Sequence, residues 1–260
     1  MSEATFKMAV RLRLPSTTLT AAGMLSVILM VGALFPAVGG SIGKLDLPQG
    51  VADLLGGADY GTLTGWMRSE IGAVYGPLVI AATAITGAAA LTAGEEEDGI
   101  LGLVLAHPVE RSRVVLAKGA AVGVSVCVIA LGTWLGLVGG VAIAGGGIGI
   151  GELAALAIHL AFFGFAVGSL AVALAAATGR RAVATAGAAA SAVLGFLING
   201  FAPLIDAIAW LKYVSPFYYY SGHDPLANGV DLTDLAVLAA ASVALMAFGM
   251  VAIQRRDLRG

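Results

Sequence analysis

The chain alternates long apolar runs with short polar stretches. Six runs stand out, at 19–38, 71–93, 114–144, 153–177, 182–201 and 232–253. A helix needs about 20 mostly apolar residues to cross the hydrocarbon core of a bilayer. The pattern therefore predicts six transmembrane helices, none with a charge near its centre. A transmembrane barrel would instead show strands of about 10 residues alternating in polarity. The unbroken runs predict an all-α membrane protein. The first run is longer than a signal-peptide core, and Val38-Gly39-Gly40-Ser41 is a poor small-x-small cleavage site.

Composition agrees and excludes other classes. Of 260 residues, 59% are apolar and 12% charged, about half the charge of a typical soluble domain. Such hydrophobicity is incompatible with disorder. Cys127 is the only cysteine, so no disulfide scaffold is available. A net charge of −2 offers no basic surface to track a phosphate backbone, so no nucleic-acid partner is expected.

The basic residues predict the topology. With the N-terminus in the cytoplasm, eleven of the fourteen Lys and Arg residues fall on the cytoplasmic side, and only Lys44, Arg68 and Lys212 fall outside. The positive-inside rule then places both termini in the cytoplasm. Ahead of the first span, residues 1–18 mix Phe6, Met8, Val10, Leu12 and Leu14 with Lys7, Arg11 and Arg13. This predicts a short interfacial helix ending near Pro15. The bundle proper is expected over 19–260. Two outer segments are long. Residues 39–70 carry Pro48, a short helical stretch at 51–55 and a Gly-rich run. Residues 201–231 are rich in aromatics, which favour the headgroup level. They are expected to lie in the outer interface as short helices broken by Pro203 and Pro216.

The most informative stretch joins spans two and three, at about 94–112. It reads Gly94-Glu95-Glu96-Glu97-Asp98-Gly99-Ile100-Leu101, then an apolar turn, Pro108, and Arg111 with Arg113. Gly94 is expected to end the second span in a left-handed turn. The four acids are then expected to open a short helix, where the dipole favours anions. Acidic residues contribute little to orientation, so a loop that merely holds topology is a poor account of them. The apolar turn is too short to span and too greasy for a loop, which favours docking against a partner surface.

This segment resembles the coupling region of ABC-2 type transporter permeases, where a pattern like G-E-x-E-x-G-T-L leads through an apolar turn to P-V-x-R and a Lys. Gly94, Glu95, Glu97, Gly99, Leu101, Pro108, Val109, Arg111 and Lys118 stand at matching positions. Ile100 stands for the usual Thr, Glu110 for a common Ser, and Glu96 where Arg often occurs. Ser215-Pro216-Phe217 and Arg255-Arg256-Asp257-Leu258 are similar to the family's S-P-F and R-R-D-L, and the stretch from Leu47-Pro48 to Tyr60 is similar to one bacterial subgroup.

The resemblance implies a multi-pass permease subunit of the bacterial cytoplasmic membrane, paired with a second copy or a related chain. ATP and Mg would sit on a separate ATP-binding subunit, and no cofactor is expected in this chain. Gly94, Glu95, Glu96, Glu97, Asp98, Gly99, Leu101, Pro108 and Arg111 would couple to that subunit, which the N-terminal helix would also touch. The segment at 201–231 would form re-entrant helices capping the exit.

The chain has no nucleotide motif of its own. A P-loop needs G-x-x-x-x-G-K-[ST] between a strand and a helix. The nearest match, around Gly43-Lys44, lacks the first glycine and the final hydroxyl. The run Gly145-Gly146-Gly147-Ile148-Gly149 reads as a flexible turn. Membrane enzymes and secondary transporters are the competing classes. No His begins H-E-x-x-H. His159 and Ser169 lie ten residues apart on one span, a spacing that does not pair them. No inverted repeat or midplane charge supports a secondary transporter.

Small residues recur at spacing four, as in Gly132, Gly136 and Gly140, and in Gly164 and Gly168, predicting close helix crossings. His159, inside a span, is a candidate for the substrate path, together with Phe162, Asn199 and Phe217. The aromatic outer segment favours an amphipathic or hydrophobic cargo. One cysteine and unclustered histidines predict no metal site.

Overall fold

The computed structural model describes residues 2–42, 51, 60–105 and 109–257. Among the described residues it is all-helical, with six helices long and apolar enough to cross a membrane. α1 (Ser2–Ile42) runs against α4 (Arg111–Ile143), and α2 (Leu63–Glu97) against α5 (Ile150–Thr178). Between α2 and α4 lies the short α3 (Ile100–Leu105). α5 is the most enclosed span. α6 (Arg181–Phe201) and α9 (Leu232–Gln254) leave most of their surface uncovered, including Val193, Leu194, Val243 and Phe248. With no water in a bilayer core, such apolar faces suit lipid, and each helix satisfies its backbone internally.

Two ends can be distinguished. The terminal end carries Glu96, Arg111, Arg181 and Arg256. The distal end carries Arg68, Asp224 and the segment between α6 and α9. That segment folds into two 3₁₀ stretches, Ala202–Leu204 and Asp206–Val214, followed by α7 (Pro216–Ser221) and α8 (Pro225–Asn228). Short helices are present as expected, but Pro203 and Pro216 sit at the starts of helical turns rather than breaking them. A prolyl ring preset near φ −65° with no N–H to satisfy suits a first-turn position.

Packing of α1 on α4 depends on glycine. A Cβ on Gly136 would lie 3.1 Å from the Ile28 Cβ, and one on Gly140 2.8 Å from the Ile28 carbonyl oxygen. A Cβ on Gly32 would overlap the Gly140 backbone. Where lipid is as apolar as leucine, close backbone approach of this kind drives association. Gly164 does the same for α5, since its Cβ would crowd Val126 at 2.9 Å and Ile80 at 3.1 Å. The run from Gly145 to Gly147 takes three positive φ angles between α4 and α5, a turn as expected.

Three expectations need correction. Gly94 is right-handed (φ −63°), and the second span continues to Glu97; the left-handed glycine is Gly99 (φ +73°). The first three acids therefore end α2 instead of opening the next helix. Two wide π-helical turns lie in α2, at Arg68–Tyr75 and Ala90–Gly94. The first precedes Pro77, and its Ile71 carbonyl accepts from the Gly76 N–H five residues on. Widening the helix in this way accommodates a residue that cannot donate to the preceding turn. Finally, the stretch before Pro15 is not a separate helix. α1 passes through Pro15 and Pro36, with the Ser16 and Thr18 hydroxyls bonding back to the Arg13 and Leu14 carbonyls. Ser and Thr side chains of this kind help membrane helices tolerate proline.

Candidate functional site

At the terminal end the acidic cluster divides in two. Glu96 is buried (4% exposed) and forms a two-pronged pair with Arg256, at 2.6 and 2.5 Å. The Arg256 Nε also donates to the Ala176 carbonyl at 3.1 Å, at the end of α5. The Arg256 carbonyl accepts from Arg111 at 2.8 Å. Glu95 pairs with the buried Lys118 of α4 at 2.8 Å. The Glu97 carboxylate accepts the Arg181 backbone N–H at 2.9 Å, at the start of α6. One turn of α2 thus ties together four other spans. Gly179 closes α5 in a left-handed conformation (φ +60°) directly against the Glu96–Arg256 pair, where any side chain would collide.

What remains outward is a narrower patch. Glu97, Asp98, Gly99 and Ile100 are exposed, whereas Leu101 is buried in the core at 2%. Gly99 needs its positive φ to turn the chain from α2 into α3. Arg111 opens α4. Pro108 lies outside the described residues, as do residues 43–50 and 52–59, with the Gly43-Lys44 pair and all but the first residue of the expected helix at 51–55.

At the distal end a cavity of about 320 Å³ opens between α2, α5, α6 and the short helices. Asn199 and Phe217, two of the four candidate path residues, line it. Its aromatic wall is built by the Ser215-Pro216-Phe217 motif. The Ser215 hydroxyl donates to the Gly195 carbonyl at 2.7 Å and accepts the Phe217 N–H at 3.1 Å, capping α7. Phe217 is thereby set against Phe163 (4.6 Å between centroids) and Phe196 (5.4 Å). Tyr220, fully buried, donates to the Gly72 carbonyl at 2.7 Å, and burial pushes its phenol pKa upward. Arg68 clamps Asp224 with two ion-pair contacts, the Nε contact at 2.9 Å, tying α2 to α8 across the cavity mouth. Lys212 lies over the rings of Tyr213 and Tyr218, at 5.1 and 5.6 Å. The wall is apolar and aromatic, and the rim is charged.

The other two path candidates do not line this cavity. Phe162 packs edge-on against Phe165. His159 is fully buried, with Nδ1 3.0 Å from the Ala155 carbonyl and Nε2 without a hydrogen-bond partner among the described residues.

One constellation was not foreseen from sequence. His223 lies between two carboxylates, with Nε2 3.4 Å from Asp231 and Nδ1 3.3 Å from Asp234. Asp231 caps α9 by accepting the Asp234 N–H at 2.9 Å. That bond, and then the nearby His223, hold the Asp231 carboxyl below its usual pKa. The available signal was the D-x-x-D spacing at a helix start, with a His eight residues upstream.

Residues 3–254 match the family model for the multidrug efflux system permease Rv1217c, C-terminal domain. The chain belongs to this family. No curated protein matches it. The family and the six apolar helices make it a multi-pass membrane protein and a transporter permease, a transport subunit rather than an enzyme.

Proposed function

We propose that the permease is the membrane subunit of an ABC-2 type exporter in the bacterial cytoplasmic membrane. It moves an amphipathic or hydrophobic cargo of the multidrug kind outward, driven by ATP and Mg on a separate ATP-binding subunit. A second copy or a related chain completes the path. The terminal end faces the cytoplasm, a reading supported by the distribution of Lys and Arg. The segment at 202–228 caps the exit at the distal end.

The observation that carries this reading is the form of the terminal end. Exposed Glu97, Asp98 and Ile100 stand at a glycine hinge. They adjoin a turn of α2 that grips α4, α5, α6 and the end of α9. A push on this patch is delivered to four spans at once. The distal cavity, with an apolar aromatic wall and a charged rim, suits a cargo with a greasy body and a polar head.

Charge reversal at the exposed Asp98, Asp98→Lys, tests the reading. The variant should still insert and purify. It should recover less of the co-purifying ATP-binding subunit than the unaltered chain, by about tenfold, the equivalent of ~1.4 kcal/mol. Undiminished recovery together with undiminished drug export in cells would remove the coupling assignment.

A further inference from the structure

We propose that His223, Asp231 and Asp234 form a binding site for a divalent cation of the zinc class at the distal end. Each residue offers one ligand atom, and these lie within 4.8 Å of one another. His223 lies 3.4 Å from Asp231 and 3.3 Å from Asp234. Those two contacts use opposite ring nitrogens, so the support for a shared ion is the 4.8 Å clustering of one nitrogen with two carboxylates, reached once the ring turns. One nitrogen and two carboxylates suit zinc better than magnesium or calcium, which prefer all-oxygen shells.

The charge balance also favours a cation. Asp234 is only 6% exposed and sits in the first turn of a membrane span. Among the described residues no Lys or Arg pairs with it or with Asp231. Two carboxylates this close repel each other unless a positive charge lies between them. A dication neutralises both. Asp231 is already oriented for this role, because its Oδ1 is held by the Asp234 N–H and its Oδ2 faces His223. An imidazole gives one nitrogen to a metal, so the ring must turn to share the ion. Its side chain is 61% exposed and has room to do so. Water on the open side completes the shell.

The ion would act as a clip. His223 stands beside Asp224, which Arg68 holds at the cavity mouth, and Asp231 and Asp234 begin α9. Binding joins the α7–α8 segment to the last span and stiffens one wall of the exit.

The rival account of the same geometry is a protonated His223 bridging the two carboxylates without metal. Calorimetric titration of the purified, tag-free permease in detergent with zinc chloride separates them. One zinc per chain is expected. His223→Ala, at an exposed position, should weaken zinc binding at least tenfold. The thermal midpoint of the unaltered chain should rise with zinc, and that of the variant should not. No zinc uptake, uptake unaffected by His223→Ala, or equal binding of magnesium would each overturn the proposal. Stability that depends on His223 but not on zinc would assign the site to a metal-free bridge instead.

Discussion

The pair Glu96–Arg256 illustrates how much rests on single residues at the terminal end. Both side chains are largely removed from water, at 2% and 17% exposure. Removing one partner strands the other as a poorly solvated charge, which costs about 3–5 kcal/mol in comparable sites. Glu96→Ala should therefore lower the melting temperature of the purified permease far more than Asp98→Ala, whose side chain is exposed. Arg256→Lys should not restore stability, since an ammonium cannot reproduce the two-pronged contact. At the distal end, Tyr220→Phe keeps the ring that packs on Phe163 but leaves the Gly72 carbonyl without its donor. The expected loss is smaller, about 0.5–1.5 kcal/mol, and is read by chemical or thermal denaturation in the same detergent.

Among the elements, the α1–α4 interface is the most demanding. A Cβ at Gly32 would overlap the Gly140 backbone, and backbone cannot rotate away. A Cβ at Gly23, on the same helix, meets nothing within 4 Å. Gly32→Ala should destabilise by about 1–3 kcal/mol, the usual cost of overpacking. Gly23→Ala should be neutral or slightly stabilising, because alanine is the better helix former. Equal melting temperatures for the two variants would show that the helices do not pack at this register. The glycine periodicity was visible in the sequence, but its partner face was not. Spacing four marks a face able to approach closely, and only the fold shows that Gly132, Gly136 and Gly140 meet Ala21 and Ile28.

For the whole molecule the decisive test is orientation. Cys127 is the single native cysteine, so a Cys127→Ser background allows one reporter at a time. Asp98→Cys at the terminal end and Asp206→Cys at the distal end are both exposed. A membrane-impermeant maleimide applied to intact cells should label the cysteine at 206 and spare the one at 98. Inside-out vesicles should give the reverse. The opposite pattern would invert the topology and, with it, the assignment of the charge lattice to the ATP-binding subunit.

The sequence alone determined that this is a helical multi-pass membrane protein with six runs long and apolar enough to cross a bilayer. Run length and hydropathy are local properties, and a bilayer admits few other solutions. It also marked the Gly145–Gly147 turn, because positive φ is decided within a few residues. Tertiary structure alone decided what the scarce charges do. Glu96 meets Arg256 across 160 positions and Arg68 meets Asp224 across 156, and no local rule selects such partners. Contiguous acids that read as one docking surface thereby divide: Glu95, Glu96 and Glu97 each reach another span, and Asp98 stays exposed at the turn. The physical reason is burial. In a low-dielectric interior each charge must find its counter-charge, and the packing of distant helices fixes which one lies within reach.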